Sequence, residues 1–221
     1  VRRALIIGTS GGIGAAMATA LSARGVEVTG LSRSATGLDV TDEASIAAAF
    51  ATLTGPFDLV IVATGALVID GYEPEKALSQ LNPEGFMAQV RLNALGPALV
   101  LRHALPLLPT DRRAVFIALS ARVGSIGDNR IGGWHSYRAA KAALNQLIHG
   151  AAIEIGRTHK QAIVACLHPG TVATPFTARY AGRHKTVTPE EAARNLIAVI
   201  EGLTKDDTGG FFDWAGKPVP W

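Results

Sequence analysis

Short continuous apolar runs alternate along this chain with longer stretches in which apolar residues recur at helical spacing. The runs at 57–63, 114–119 and 161–167 show no polar alternation, which is the pattern of strands buried on both faces. A shorter run at 4–7 reads as the first strand, 26–31 as the second and 210–213 as a closing one. Residues 38–40 look like a rudimentary or bent third strand, because only about six residues separate them from the second, while a parallel crossover takes a dozen or more. A shortened or missing helix is therefore expected there. An Ala-rich segment reaching residue 24 has strong helix propensity, and Thr41-Asp42-Glu43 caps a helix to about residue 54. Further helices are expected over 73–81, 83–108 and 134–159, and a last one from Thr188-Pro189-Glu190-Glu191. Pro97 and Pro106 should kink or end the long second of these. Strands alternating with helices predict an α/β architecture: a parallel sheet covered on both faces, with ligands at the carboxyl ends of its strands.

Length and composition narrow this picture without redirecting it. The 221 residues suit one core, 48% of them are hydrophobic and 18% charged, and no Pro/Gly/Ser-rich linker divides the chain, so residues 1–221 are expected to form a single domain. Apolar runs such as 59–63 are too short to span a bilayer. Val1-Arg2-Arg3 leads straight into a strand-like run with no space for a signal peptide, making a cytoplasmic protein the expectation. Cys166 is the single cysteine and falls in an apolar run, where a buried thiol is expected. The net charge of +3, with no basic block beyond Arg112-Arg113, argues against a nucleic-acid partner and for no more than a mild attraction to phosphorylated small molecules. No His-Glu-x-x-His spacing occurs and no metal site is expected, although His135 and His168 lie close to residues of interest below.

Three stretches carry candidate chemistry. Gly8-Thr9-Ser10-Gly11-Gly12-Ile13-Gly14 joins the first strand to the first helix, where glycines let the backbone approach a pyrophosphate and the helix amides and dipole favour its charge; an ordinary tight turn is the alternative. Ser32-Arg33 ends the second strand, where an acidic residue grips the ribose of NAD; a hydroxyl and a guanidinium suit a 2′-phosphate instead. Tyr137 and Lys141 are four residues apart on a helix and so share a face, and a cation beside a phenol favours proton transfer nearer neutral pH.

Together with Asp39-Val40, Gly65, Asn93 in a long helix, and Pro169-Gly170 followed by Thr174, these stretches resemble the short-chain dehydrogenase/reductase family over essentially the whole chain. The similarity extends to its carbonyl-reductase-like, C-factor-like branch through 122–126, Asp128-Asn129, Gly132-Gly133 and the terminal 216–221. The resemblance implies a three-layer, doubly wound Rossmann-type sheet of about seven strands. It implies Tyr137 as proton donor, Lys141 as its activator and a ligand of the nicotinamide ribose, Asn93 as holder of a relay water, and Ser120 as a substrate-binding hydroxyl. Cofactor contacts are implied for Gly8, Ser10, Gly12, Ile13 and Gly14, for Ser32 and Arg33, and for Asp39 (to the adenine amino group) with Val40. Ala63 and Gly65 would line the adenosine, while Pro169, Gly170, Val172 and Thr174 would meet the carboxamide.

Two departures qualify the resemblance. Val62-Ala63-Thr64-Gly65 stands where the family has Asn-Asn-Ala-Gly, and the family's Ser-Ser pair is Ser120-Ala121, leaving either Ser120 or Ser125 to replace the second hydroxyl. The expected protein is an NADP(H)-preferring reductase of a small carbonyl compound, with NAD(H) possible, a substrate loop at about 175–187, and a homodimeric or homotetrameric assembly. The alternatives are an NAD-dependent alcohol dehydrogenase of the same fold, or a dinucleotide-binding regulator with weak or no turnover.

Overall fold

A computed structural model of the chain describes residues 1–177 and 186–221. Six strands pair in one parallel sheet in the order β2-β1-β3-β4-β5-β6: β1 (Arg3–Ile7), β2 (Glu27–Leu31), β3 (Leu59–Val62), β4 (Ala114–Leu119), β5 (Ala162–His168) and β6 (Phe211–Asp213). Helices α1 (Gly12–Ser22) and α7 (Pro189–Gly202) cover one face; α3 (Glu43–Ala51), α4 (Pro83–Val90), α5 (Gly96–Ala104) and α6 (His135–Ile155) lie on the other side. The period of two along each strand divides the core accordingly. Ala4, Ile6, Leu59, Ile61, Val115 and Ile117 pack with Met17, Leu196 and Ile200, while Leu5, Ile7, Val60, Val62, Phe116 and Ala118 pack with Ile46, Val100, Leu144 and Ile148. Since both faces are buried, every residue of β3 and β4 is buried.

Three sequence expectations take a different form. The sheet has six strands among the described residues, because 38–40 pairs with nothing: α2 is a single turn, Arg33–Thr36, closed by Gly37 at φ 74°, and too little chain follows to run alongside β2. Leu38 and Val40 enter the core instead, and a Cβ on Gly96 would lie 2.7 Å from the Val40 carbonyl. The stretch 73–81 forms only a 3₁₀ turn at Leu78–Gln80, with Glu75 bonded to Ser136 of α6 and Gln80 to the Lys76 and Ala77 amides. The long helix over 83–108 starts at the Asn82 cap but passes through a π-helical turn at Arg91–Leu95 before α5. Pro97 has no N–H for the carbonyl of residue 93, so regular α-helical bonding cannot continue through that point.

At the amino end of the sheet, the buried Asp58 carboxylate accepts hydrogen bonds from the Arg2 and Arg3 amides at 2.7 and 3.3 Å and from both Nε and Nη2 of Arg112 at 3.1 and 2.9 Å. It ties the chain terminus and the start of β4 to β3. Asp58→Ala leaves two amides without their acceptor and is expected to destabilise the fold by about 2 kcal/mol. In a chain of this size that lowers Tm by roughly 4–8 °C. An unchanged thermal unfolding curve would show the latch to be dispensable.

Candidate active site

The carboxyl edge of the sheet gathers almost every residue singled out from the sequence. Gly8 leaves β1 at φ 100°, and a Cβ there would lie 2.8 Å from the Ala63 carbonyl; one on Gly14 would lie 2.2 Å from the Gly8 carbonyl. Only glycine fits such approaches. The N-cap of α1 is Gly11, which offers no side-chain acceptor, and the first turn carries no acid. The amides of Gly12, Ile13 and Gly14 therefore open the helix beside an exposed Ser10, which is the arrangement that takes a phosphate. Thr174 reaches this turn from the other side, its Cγ2 being 2.9 Å from where a Gly12 Cβ would sit.

Further along the edge the predicted residues divide. Arg33 is exposed at the end of β2, but the buried Ser32 hydroxyl accepts the Ala35 amide at 3.2 Å and so caps α2. Asp39 accepts from Thr41 through both its backbone amide, at 2.8 Å, and its hydroxyl, at 2.7 Å. These bonds and the Arg33 charge hold its carboxyl below the usual range. Val40 is core. Gly170 turns at φ 80°, following Pro169, and the segment continues to the buried Val172, which bridges to Val187. Residues 178–185 of the expected substrate loop, including Tyr180 and Gly182, lie outside the described residues.

Asn93 is fully buried in the π-helical turn, and its amide is hydrogen-bonded at both its nitrogen and its oxygen. Its Nδ2 donates to the Ala66 carbonyl at 2.9 Å and to Gln89 Oε1 at 2.7 Å, while Oδ1 accepts the Ala66 amide at 3.2 Å. Gln89 also donates to the Leu67 carbonyl at 2.7 Å, so this glutamine, absent from the sequence reading, fixes both Asn93 and the loop after β3. Its position one turn before Asn93 was the available signal.

Tyr137 and Lys141 lie one turn apart near the start of α6, both buried. Lys141 Nζ donates to the Leu119 carbonyl at 3.0 Å and sits 5.8 Å from the Tyr137 ring centre. A Cβ on Gly65 would lie 2.8 Å from Asn93 Oδ1 and 3.8 Å from Lys141 Nζ, so amide oxygen and ammonium both border the space that the missing side chain of Gly65 leaves open. Burial governs both titrations: it pushes the phenol of Tyr137 well above its usual value and the Lys141 ammonium down to about 8. Desolvation alone accounts for the rise of the phenol, with no lowering by its cationic neighbour. Trp134 and Phe176 flank the phenol, each with its ring centre 6.2 Å from that of Tyr137. A small cleft of about 40 Å³ opens beside it, lined by Tyr72, Glu75, Asn82, Gln89 and Ser136 among others.

Each serine has a partner within the chain. Ser120 Oγ is buried and donates to Asn145 Oδ1 at 2.6 Å, two helical turns beyond Tyr137 and away from the entry of α6. Ser125 Oγ accepts the Asp128 amide at 3.0 Å. Ala121 lies between β4 and a 3₁₀ turn at Arg122–Gly124. The His168 ring is pushed down to about 4, by burial first and then by Arg122, and is neutral near pH 7. Among the described residues no cluster of His, Cys, Asp and Glu could hold a metal, and no helix is long and apolar enough to cross a membrane.

A glycine cradle without side chains, uncapped helix amides at its head, and a polar set at the far end suit a long, anionic, two-ended ligand such as a dinucleotide. Comparison with known proteins agrees with this geometry. Residues 2–184 match the family model described as short chain dehydrogenase. The chain is 34% identical to 1-hydroxy-2-glutathionyl-2-methyl-3-butene dehydrogenase of Rhodococcus sp. over 84% of this chain and 79% of that protein. It is 32% identical to the C-signal protein of Myxococcus xanthus over 78% of this chain and 99% of that protein. Among solved structures, NADPH-bound carbonyl reductase from chicken fatty liver superposes with a TM-score of 0.84 at 24% identity, covering 100% of this chain and 99% of that one. The chain belongs to the short-chain dehydrogenase family of NAD(P)-dependent oxidoreductases.

Proposed function

We propose that the protein reduces a small carbonyl compound with NADPH in preference to NADH, Tyr137 giving the proton that completes the alcohol. The observation that carries this reading is that Lys141 Nζ and Asn93 Oδ1 both border the open space at Gly65, one helical turn from the buried Tyr137 phenol. A bound reduced nicotinamide would supply a hydride to the carbonyl carbon. The chain's own work is then to bind, orient and protonate. The α1 amides would take the diphosphate, Arg33 a 2′-phosphate, and Asp39 the adenine amino group. Lys141 would bond the ribose and Tyr137 Oη the carbonyl oxygen, to which its proton passes. Trp134 and Phe176 give the flanks of the phenol an apolar character that favours an uncharged carbonyl substituent. The NADPH found in the chicken carbonyl reductase supports the choice of cofactor.

A second reading, a dinucleotide-binding signalling protein of weak turnover, is favoured by the engagement of Ser120 Oγ with Asn145. Loss of one donor to the reacting oxygen costs about 10²–10³ in rate. Ala121→Ser separates the two readings, since a reductase should gain rate from the added hydroxyl and a sensor should not turn over in either form.

Calorimetric titration should show NADPH binding, with Arg33→Glu weakening NADPH by roughly 10- to 100-fold and NADH far less, as loss of a charge-assisted contact would. Binding of neither nucleotide would sink the proposal. Tyr137→Phe should cut kcat for a small aldehyde or ketone by about 10²–10⁴ while NADPH still binds. Full turnover in that variant would move the proton donor elsewhere. The ammonium of Lys141 is present below about pH 8 and lost above it, while the phenol of Tyr137 remains protonated. Accordingly kcat/KM for NADPH should be level at lower pH and fall with a limiting slope of about tenfold per pH unit above that value. A profile that rises through this range would contradict the assignment.

A further inference from the structure

The entry to α6 is built against local preference. Gly132, Gly133 and Trp134 have successive φ values of 69°, 64° and 52°, and Trp134, the N-cap residue, has no side-chain oxygen with which to accept a helix amide. A tryptophan in the left-handed region is strained and persists only where its surroundings hold it. What holds it is Glu75, 61 positions away from Ser136 in the chain. The Glu75 carbonyl accepts the Trp134 amide at 2.5 Å, Oε2 accepts the Ser136 amide at 3.1 Å, and Oε1 accepts a short bond from the Ser136 hydroxyl. Glu75 and Ser136 are both buried, and Tyr137 is the next residue. The stretch that carries Glu75 is itself fixed, Gln80 Oε1 accepting the Lys76 and Ala77 amides at 2.8 and 3.3 Å.

We propose that Glu75 is the positioning residue of Tyr137: it supplies the cap that α6 lacks and, through residues 134–136, sets where the phenol stands over the cleft. This rests on the reading of Tyr137 as proton donor. Burial alone would raise the Glu75 pKa, but the bonds from Ser136, helped by His135 when it is protonated, outweigh it and hold the group below its usual range. The carboxylate is thus ionised at neutral pH, the form that accepts two donors at once and suits the positive end of a helix. Glu75 borders the same cleft as Tyr137, so the clamp and the reacting group share one wall. Displacement of a reacting group by 1 Å costs on the order of 10² in rate.

The test compares wild type with Glu75→Ala and Glu75→Gln in steady-state reduction, NADPH calorimetry and amide hydrogen exchange. The alanine variant should lose about 10² in kcat with the Kd for NADPH unchanged, and exchange should accelerate at 134–140 but not in the rest of α6. The glutamine variant keeps one acceptor for the Ser136 amide and an amide that can donate to its hydroxyl, and it should recover most of the rate and the protection. Wild-type kcat in Glu75→Ala would overturn the proposal. So would equal loosening of the whole helix with a weakened Kd and no rescue by glutamine, since that is general destabilisation. If the wild type reduces no carbonyl compound, the reading of the site fails, and hydrogen exchange alone decides the clamp: unchanged protection at 134–140 refutes it.

Discussion

A parallel sheet buried on both faces is the constraint from which the rest of this molecule follows. Strands that are apolar on both sides can exist only beneath two layers of helix, and parallel strands can be joined only by chain that climbs back over a face. Each crossover then starts at the carboxyl edge, so the turn after β1, the loop after β3 and the entry to α6 are brought together without any attraction among them. Asp58 latches the opposite end. The site is thus a consequence of how the core is closed, and its residues need only be the ones that tolerate crowding or supply chemistry. Gly8 and Gly14 are of the first kind; Tyr137 and Lys141, in the reading proposed above, are of the second.

What was legible in the sequence follows from how local each cause is. The strands β3, β4 and β5 announce themselves because burial on both faces writes an unbroken apolar run, and the pairing of Tyr137 with Lys141 follows from helix geometry alone. The missing crossover before 38–40 was readable as a length, yet whether those residues would pair or fold inward depended on Gly96 leaving room at Val40. The stretch 73–81 was misread as a helix because its decisive bonds run to α6. No pattern within ten residues of Glu75 encodes a partner sixty positions away. Ser120 is a similar case: its place at the end of β4 was evident, but its bond to Asn145 depends on how α6 lies on the sheet.

The proline at 97 shows how one local rule can serve two ends. It was expected to kink or end a long helix, and a π-helical turn at Arg91–Leu95 breaks the regular α-helical bonding just before it. That turn also carries Asn93, whose amide satisfies both backbone groups of Ala66 and the side chain of Gln89. A regular helix would present residue 93 at a different angle to the loop after β3. The irregularity is therefore what lets one side chain register α4 against that loop and reach Gly65 beside Lys141. Such turns are frequent at functional sites because a single bulge re-aims a residue without ending the helix.

Burial sets the electrostatic character of the site more than charge pairing does. An isolated phenol and ammonium in water would be neutral and charged, respectively, at neutral pH; here desolvation holds the phenol protonated and brings the ammonium down to about 8. The two shifts have opposite consequences for the pair. The first makes the phenol a weaker acid than it is in water, while the second brings the ammonium, tethered by the Leu119 carbonyl, closer to neutral pH. A lysine on the surface would stay charged throughout and could steady a phenolate, but it could not readily give its proton up and take it back. In the reading proposed above, burying Tyr137 between Trp134 and Phe176 would thus weaken the help its phenolate gets from Lys141 and leave the lysine better able to pass a proton on.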